Sequence, residues 1–314
     1  MNTLPPVPTD QNHVPDRAIK IIAHIEVGAN PVGVVLHPNG QLAYVANAGA
    51  NSVSVIDTTT QQVTRTITGL RHPWYLAIHP DGSHLYVGSN GPGGSSEAVS
   101  IVDLNDHSLV GTLADNQRPH GLATNLEGSI LYVACQRPGF VGAYSTTAPY
   151  PQLATIEMDA AVNLALSHDG TRLYAIDNLN PGHLVVIDTA SHQAISRHGM
   201  AEQAEDLACD PHRPRVYLSN QTGHTVSIVD TRDYSHSRTL NVEASPHAIA
   251  FNPVRDEAYV ALYNNRLAVI DTRHEQVSAT APGFSDPRGL AVTADGSRAY
   301  VSNYNGRHLW VVAL

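Results

Sequence analysis

Glu205, His247 and Arg288 lie 42 and 41 residues apart, and each holds the same place in a recurring phrase: "QAEDLACDP", "SPHAIAFNP" and "DPRGLAVTA". Brought side by side, these three residue types can move protons. A histidine exchanges a proton near neutral pH. A neighbouring carboxylate orients the ring and stabilises its charged form. An arginine holds a carboxylate or a developing oxyanion through two parallel hydrogen bonds. His120 occupies the same place in "RPHGLATNL" and offers a second acid or base. His120, His247 and Glu205 also make up a two-histidine, one-carboxylate set of the kind that holds a divalent metal ion with open positions. No cofactor motif accompanies them, so a site without a cofactor is expected, with a metal ion as the alternative.

Residues so far apart in sequence meet only if a repeating fold brings them together. The tyrosine of "LAYVAN" recurs as Tyr44, Tyr86, Tyr132, Tyr174, Tyr217, Tyr259 and Tyr300, at steps of 41 to 46 residues. Each unit reads as four strands. An apolar run such as "GVVLHP" is followed by a tight Asn-Gly or Asp-Gly turn. Then come "LYVGS" or "AYVAN", a third strand such as "VSVID", and a more polar outer strand such as "QQVTRTIT". Four antiparallel strands in about 42 residues suit the blades of a propeller better than a solenoid. The last unit stops after three strands at "HLWVVAL", while "AIKIIAHIEV" (18–27) precedes the first unit. The spacing therefore predicts an all-β, seven-bladed propeller over 19–314. Its last blade would be closed by the N-terminal strand, and residues 1–18 would form a flexible arm.

The phrases "YVAN", "YVSN", "VSVIDT" and "HPDG" resemble the YVTN-type repeat of seven-bladed β-propellers over roughly Ile19 to Leu314. Propellers related to that repeat include surface-layer proteins, lactonases, muconate cyclases, streptogramin-type lyases and redox-enzyme subunits. The resemblance implies the fold and leaves the activity open. It also implies a ligand site at one mouth of the channel, where the lactonases, cyclases and lyases place His, Glu and Arg.

Subtracting what every blade shares leaves the candidates. The residue after the leading proline, or its equivalent, is Val32, Trp74, His120, Val162, Glu205, His247 and Arg288 around the ring. This series is expected to line the mouth, with His247 as acid or base oriented by Glu205, Arg288 as the anion clamp and Trp74 as an apolar wall. Strand alternation would turn the following series, which includes Tyr75, Asn163 and Asp206, another way. These three, with Arg137, Asp177, Tyr263 and Tyr304 from loops on the same face, are candidate substrate contacts. The Gly-rich stretch 91–97 is read as either a lid or a tolerated insertion. The aspartates after the third strands, such as Asp57 and Asp271, are expected to cap turns.

Composition narrows the function classes. Lys and Arg total 18 against 28 Asp and Glu, which argues against a nucleic-acid partner. No apolar run is long enough to span a membrane. Cys135 and Cys209 are too few for a disulfide framework, and the first residues lack a signal-type apolar core, which favours a cytoplasmic setting. The expectation is a monomeric or weakly oligomeric enzyme of the lyase, cyclase or isomerase, or lactonase type. Its substrate would be a small organic molecule bearing a carbonyl or carboxylate. A non-catalytic propeller for ligand binding or assembly is the alternative.

Overall fold

The computed structural model describes residues 19–91, 98–113, 118–178, 182–200 and 203–314. The expected arm, 1–18, and nearly all of the Gly-rich stretch lie outside the described residues. Seven four-stranded antiparallel sheets follow one another along the chain. Blade six shows the plan, with strands Pro246–Phe251, Glu257–Leu262, Arg266–Asp271 and Gln276–Pro282 in order from axis to rim. First strands of successive blades pack on one another, and that of blade seven packs on that of blade one, so the seven surround a common axis. Blade seven takes three strands from the C-terminal segment, and its fourth is Lys20–Glu26, antiparallel to His308–Ala313. The predicted closure is therefore present. A single 3-10 turn, Ala48–Ala50, is the one helical element among the described residues, and no helix there is long and apolar enough to cross a membrane.

The tyrosine that marks the period also joins the blades. Tyr44 of blade one packs with Leu85 and Val87 of blade two. Tyr217 of blade five packs with Ile249, Ala258 and Val260 of blade six. Tyr300 of blade seven packs with Val45 of blade one, which closes the circle. All three rings are fully buried. At about 150–250 Å² per aromatic side chain, each seam gains roughly 4–6 kcal/mol of apolar burial before entropy is counted. The turn aspartates behave as expected. Asp57 Oδ1 accepts the backbone N–H groups of Thr59 and Thr60 at 2.8 and 2.7 Å, and Asp271 does the same for Arg273 and His274.

Near the axis the backbones crowd. A Cβ on Gly33 would lie 2.5 Å from the carbonyl oxygen of Trp74 in the next blade, and one on Gly289 would run into the carbonyl of Val32. Neither atom is free to move, because each belongs to a sheet backbone. Gly289→Ala is therefore expected to lower stability by about 2 kcal/mol or more through overpacking at the seam that closes the ring. Gly199→Ala, where a Cβ meets nothing within 4 Å, should stay within about 0.5 kcal/mol of the parent. Chemical denaturation of the two variants makes the comparison, and equal losses would refute the crowding argument.

Candidate functional site

Every first strand slips register at its start. In blade six, Pro246 faces Leu262 but Ile249 faces Val260, so the first strand holds one residue more than its partner. Blade five slips between Ala204 and Asp206, and blade two between Pro73 and Tyr75. These are β-bulges, which break the two-residue alternation. Consecutive side chains then face the same space. Glu205 and Asp206 both line one cavity of about 200 Å³ at the channel mouth, and so do Trp74 and Tyr75. This corrects the expectation that alternation would turn the second series away.

Asp206 is the most embedded of these groups. Its Oδ1 accepts from Asn163 Nδ2 of blade four at 2.6 Å, and its Oδ2 accepts from the backbone N–H of Ile249 in blade six at 2.9 Å. The N–H of Asp206 donates to Ser219 Oγ at 3.0 Å, and that hydroxyl donates to the carbonyl of His247 at 2.8 Å. One carboxylate thus ties three blades together. Burial raises its pKa to about 7 against the lowering effect of the backbone N–H groups of Ile249 and Leu207, and the charge of Glu205 adds to the rise. Glu205 is also raised by burial, partly offset by the charge of Arg288. No described residue donates a hydrogen bond to the Glu205 carboxylate.

Arg288 gives one edge of its fork to its own blade. Its Nε and Nη2 donate to Asp286 Oδ1 and Oδ2 at 3.0 and 3.1 Å, while Nη1 has no protein partner among the described residues. Its face lies over the rings of Tyr304, 5.0 Å away, and Tyr263, 5.7 Å away. His247 is 5% exposed, and its Nε2 is buried without a hydrogen-bond partner among the described residues. Burial, reinforced by the charge of Arg288, lowers its pKa to about 4, with Asp286 working the other way. The expected pairing of Glu205 with His247 is not formed. Both residues line the cavity without a hydrogen bond between them.

His120 lies behind the cavity wall. Its Nδ1 is 2.8 Å from the Tyr75 hydroxyl and its Nε2 is 3.1 Å from Asn90 Nδ2. Burial, with the charge of Arg118, brings its pKa down to about 4. Among the described residues no group of three or more His, Cys, Asp or Glu is arranged to hold a metal ion, so His120, Glu205 and His247 are not gathered as a ligand set. Arg137 is exposed on a turn away from the cavity. Asp177 is wholly buried in blade four, where it accepts the N–H groups of Asp159 and Ala160 and pairs with Arg197 at 3.1 Å. It shapes its own loop. Tyr263 and Tyr304 stand at the rim, and Tyr304 lies 5.9 Å from the Trp74 ring. The thiol of Cys209, half-buried in blade five, is pushed up to about 12 by desolvation, away from nucleophilic use.

The molecule is thus a seven-bladed β-propeller with an ionisable, aromatic-walled cavity at one mouth of its channel. A chain from Kuenenia stuttgartiensis hydrazine synthase is similar in fold, with a TM-score of 0.83 over 91% of this chain and 96% of that one, at 20% identity. The uncharacterized protein YncE of Salmonella typhimurium is 32% identical over 105 residues, and that of Salmonella typhi 31%. Each match spans 32% of this chain and 29% of the relative's length. No protein-family model matches the chain.

The shifted groups give opposite pH dependences. His120 and His247 bind protons less readily folded than unfolded, so they lower stability as pH falls from 6.5 towards 4. Asp206 holds its proton more tightly when folded. Its contribution is complete below pH 3.8 and is lost as pH rises to about 7. His247→Gln should therefore flatten the acid limb of a plot of melting temperature against pH. Asp206→Asn should flatten the decline between about pH 4 and 7, a term of roughly 4 kcal/mol at most. Unchanged profiles in both variants would contradict these environments.

Proposed function

We propose that this propeller is a small-molecule enzyme that transfers protons at the channel mouth, with Asp206 as the acid or base. The observation that carries the reading is the bulge of blade five, which sets two consecutive carboxyl groups, Glu205 and Asp206, in one cavity. A carboxyl titrating near 7 is matched to general acid–base work at neutral pH. Glu205 is the second carboxyl, and Trp74 and Tyr75 supply aromatic walls, the Tyr75 hydroxyl being held by His120. The chemistry suited to such a set is proton transfer next to a carbonyl, as in elimination, isomerisation or cyclisation, or the opening of a lactone. The YVTN-like phrases support this reading by resemblance. Arg288 is held by Asp286 through Nε and Nη2 and keeps Nη1 for a carboxylate or oxyanion. His247 serves as a neutral hydrogen-bonding group.

A second reading is a non-catalytic binding propeller. It is favoured by the two protein donors that already engage both oxygens of Asp206. The two readings separate by exchange of acidic C–H protons with deuterated water, followed by NMR across a panel of small carbonyl compounds. The enzyme reading expects at least one compound to exchange or convert, with a rate that inflects near pH 7. Asp206→Asn should lower that rate by about 10²–10⁴-fold while the ring stays folded. Turnover that survives Asp206→Asn, or a panel that binds without conversion, would end the catalytic reading.

A further inference from the structure

We infer that the cavity takes a small organic cation with N–H donors, a primary or secondary ammonium, seated between Glu205 and His247 against the indole of Trp74. The inference rests on the proposal that the mouth cavity is the ligand site, and it names the class of molecule that fits there. Charge is the first argument. The guanidinium of Arg288 is matched by Asp286 through two hydrogen bonds. The imidazoles facing or backing the cavity are neutral. The carboxylate of Glu205 is left without a counter-charge in contact and without a donor among the described residues. This half-buried carboxylate opens on the cavity without a protein donor, which leaves its oxygens to accept from a ligand. A second anion in the same space would add repulsion from both Glu205 and Asp206.

Hydrogen bonding is the second and independent argument. His247 is 5% exposed and lines the cavity, and its Nε2 finds no partner among the described residues. A neutral imidazole has one nitrogen lone pair to offer. An ammonium that donates to Nε2 leaves the ring proton on Nδ1, and its remaining N–H groups reach the carboxylate on the adjacent blade. Trp74 supplies the third element, an aromatic face, which attracts a cation most strongly among the side-chain rings. A quaternary ammonium could use the ring but would leave both acceptors unmet.

The test compares three ligands of one shape, benzylammonium, benzyl alcohol and benzoate, titrated into the full chain at pH 7.5 by calorimetry, with NMR of the Trp74 indole as a second readout. Benzylammonium should bind at least ten-fold more tightly than either of the others and shift the Trp74 signal. Glu205→Gln, which keeps size and shape, should remove most of that preference, and His247→Phe should weaken the amine several-fold. Benzoate or benzyl alcohol binding as well as the amine, no saturable amine binding, or an unchanged preference in Glu205→Gln would each overturn the inference. The comparison on the unmodified protein needs no variant to fold. Amine binding without turnover of any compound would leave this inference standing and remove the catalytic reading. Turnover confined to anionic substrates would do the reverse.

Discussion

Crowding at the axis governs the rest of the molecule. Seven first strands converge, and the backbone of one comes within side-chain reach of the next. Three blades meet this with Gly33, Gly121 and Gly289, where a Cβ would strike Trp74, Asn163 or Val32. The bulges share the same origin. An extra residue bends the strand away from the axis and leaves an N–H without its ladder partner. In blades five and seven a serine of the second strand receives that N–H and passes a hydrogen bond on to the next blade, through Ser219 and Ser302. The cavity opens at this mouth, and the close-packed glycines are part of its lining. Most of its other walls are residues at the same two positions around the ring.

Within that space, desolvation and pairing compete, and the outcome differs from residue to residue. Asp286 has a guanidinium on both oxygens, and its charge is answered locally. Asp206 has only neutral donors, which stabilise its ionised form without supplying positive charge, so burial wins and the proton stays on until about pH 7. His120 and His247 face the same burial with the opposite sign and stay neutral over most of the physiological range. Asp206 thus stands near its midpoint at neutral pH, and Glu205 is the neighbouring carboxyl that lacks a protein donor among the described residues.

The fold was legible because its signal is repeated. Seven tyrosines at one period, five turn aspartates and a spare N-terminal strand all demand the same ring, and no single one had to be read correctly. The site was legible only as a place. Comparing blades picked out positions 205, 247 and 288 as breaks in the template, and the cavity lies there. Direction was not legible, because a bulge changes where consecutive side chains point without changing the residue pattern. That is why Asp206 ranked below Glu205 in the sequence and why a Glu205–His247 pair was expected. Two other errors were avoidable. Asp177 stands three residues after Tyr174, as Asn47, Asn220 and Asn303 stand after Tyr44, Tyr217 and Tyr300. The same comparison marks it as a loop-shaping residue. Asp286 stands two residues before Arg288, close enough to take the Nε and Nη2 edge of its guanidinium.

A propeller of this kind separates scaffold from chemistry unusually cleanly. Every blade presents the same pair of mouth positions, and glycine, alanine, asparagine, aspartate and tyrosine are all found in the second of the pair. At 20% identity the likeness to a hydrazine synthase chain speaks to the scaffold and leaves those positions free. Chemistry is then a matter of which blades carry charge and which blades are neighbours. Blade five carries carboxyl groups at both positions, blade six places an unpartnered imidazole beside them, and blade two faces them with two aromatic rings. Charge of Glu205 and Asp206 is felt at the Tyr75 hydroxyl, whose pKa it helps to raise, so the two sides of the mouth already act on one another across the empty space. A ligand entering there meets a field set by blades two, five and six together with Arg288 of blade seven.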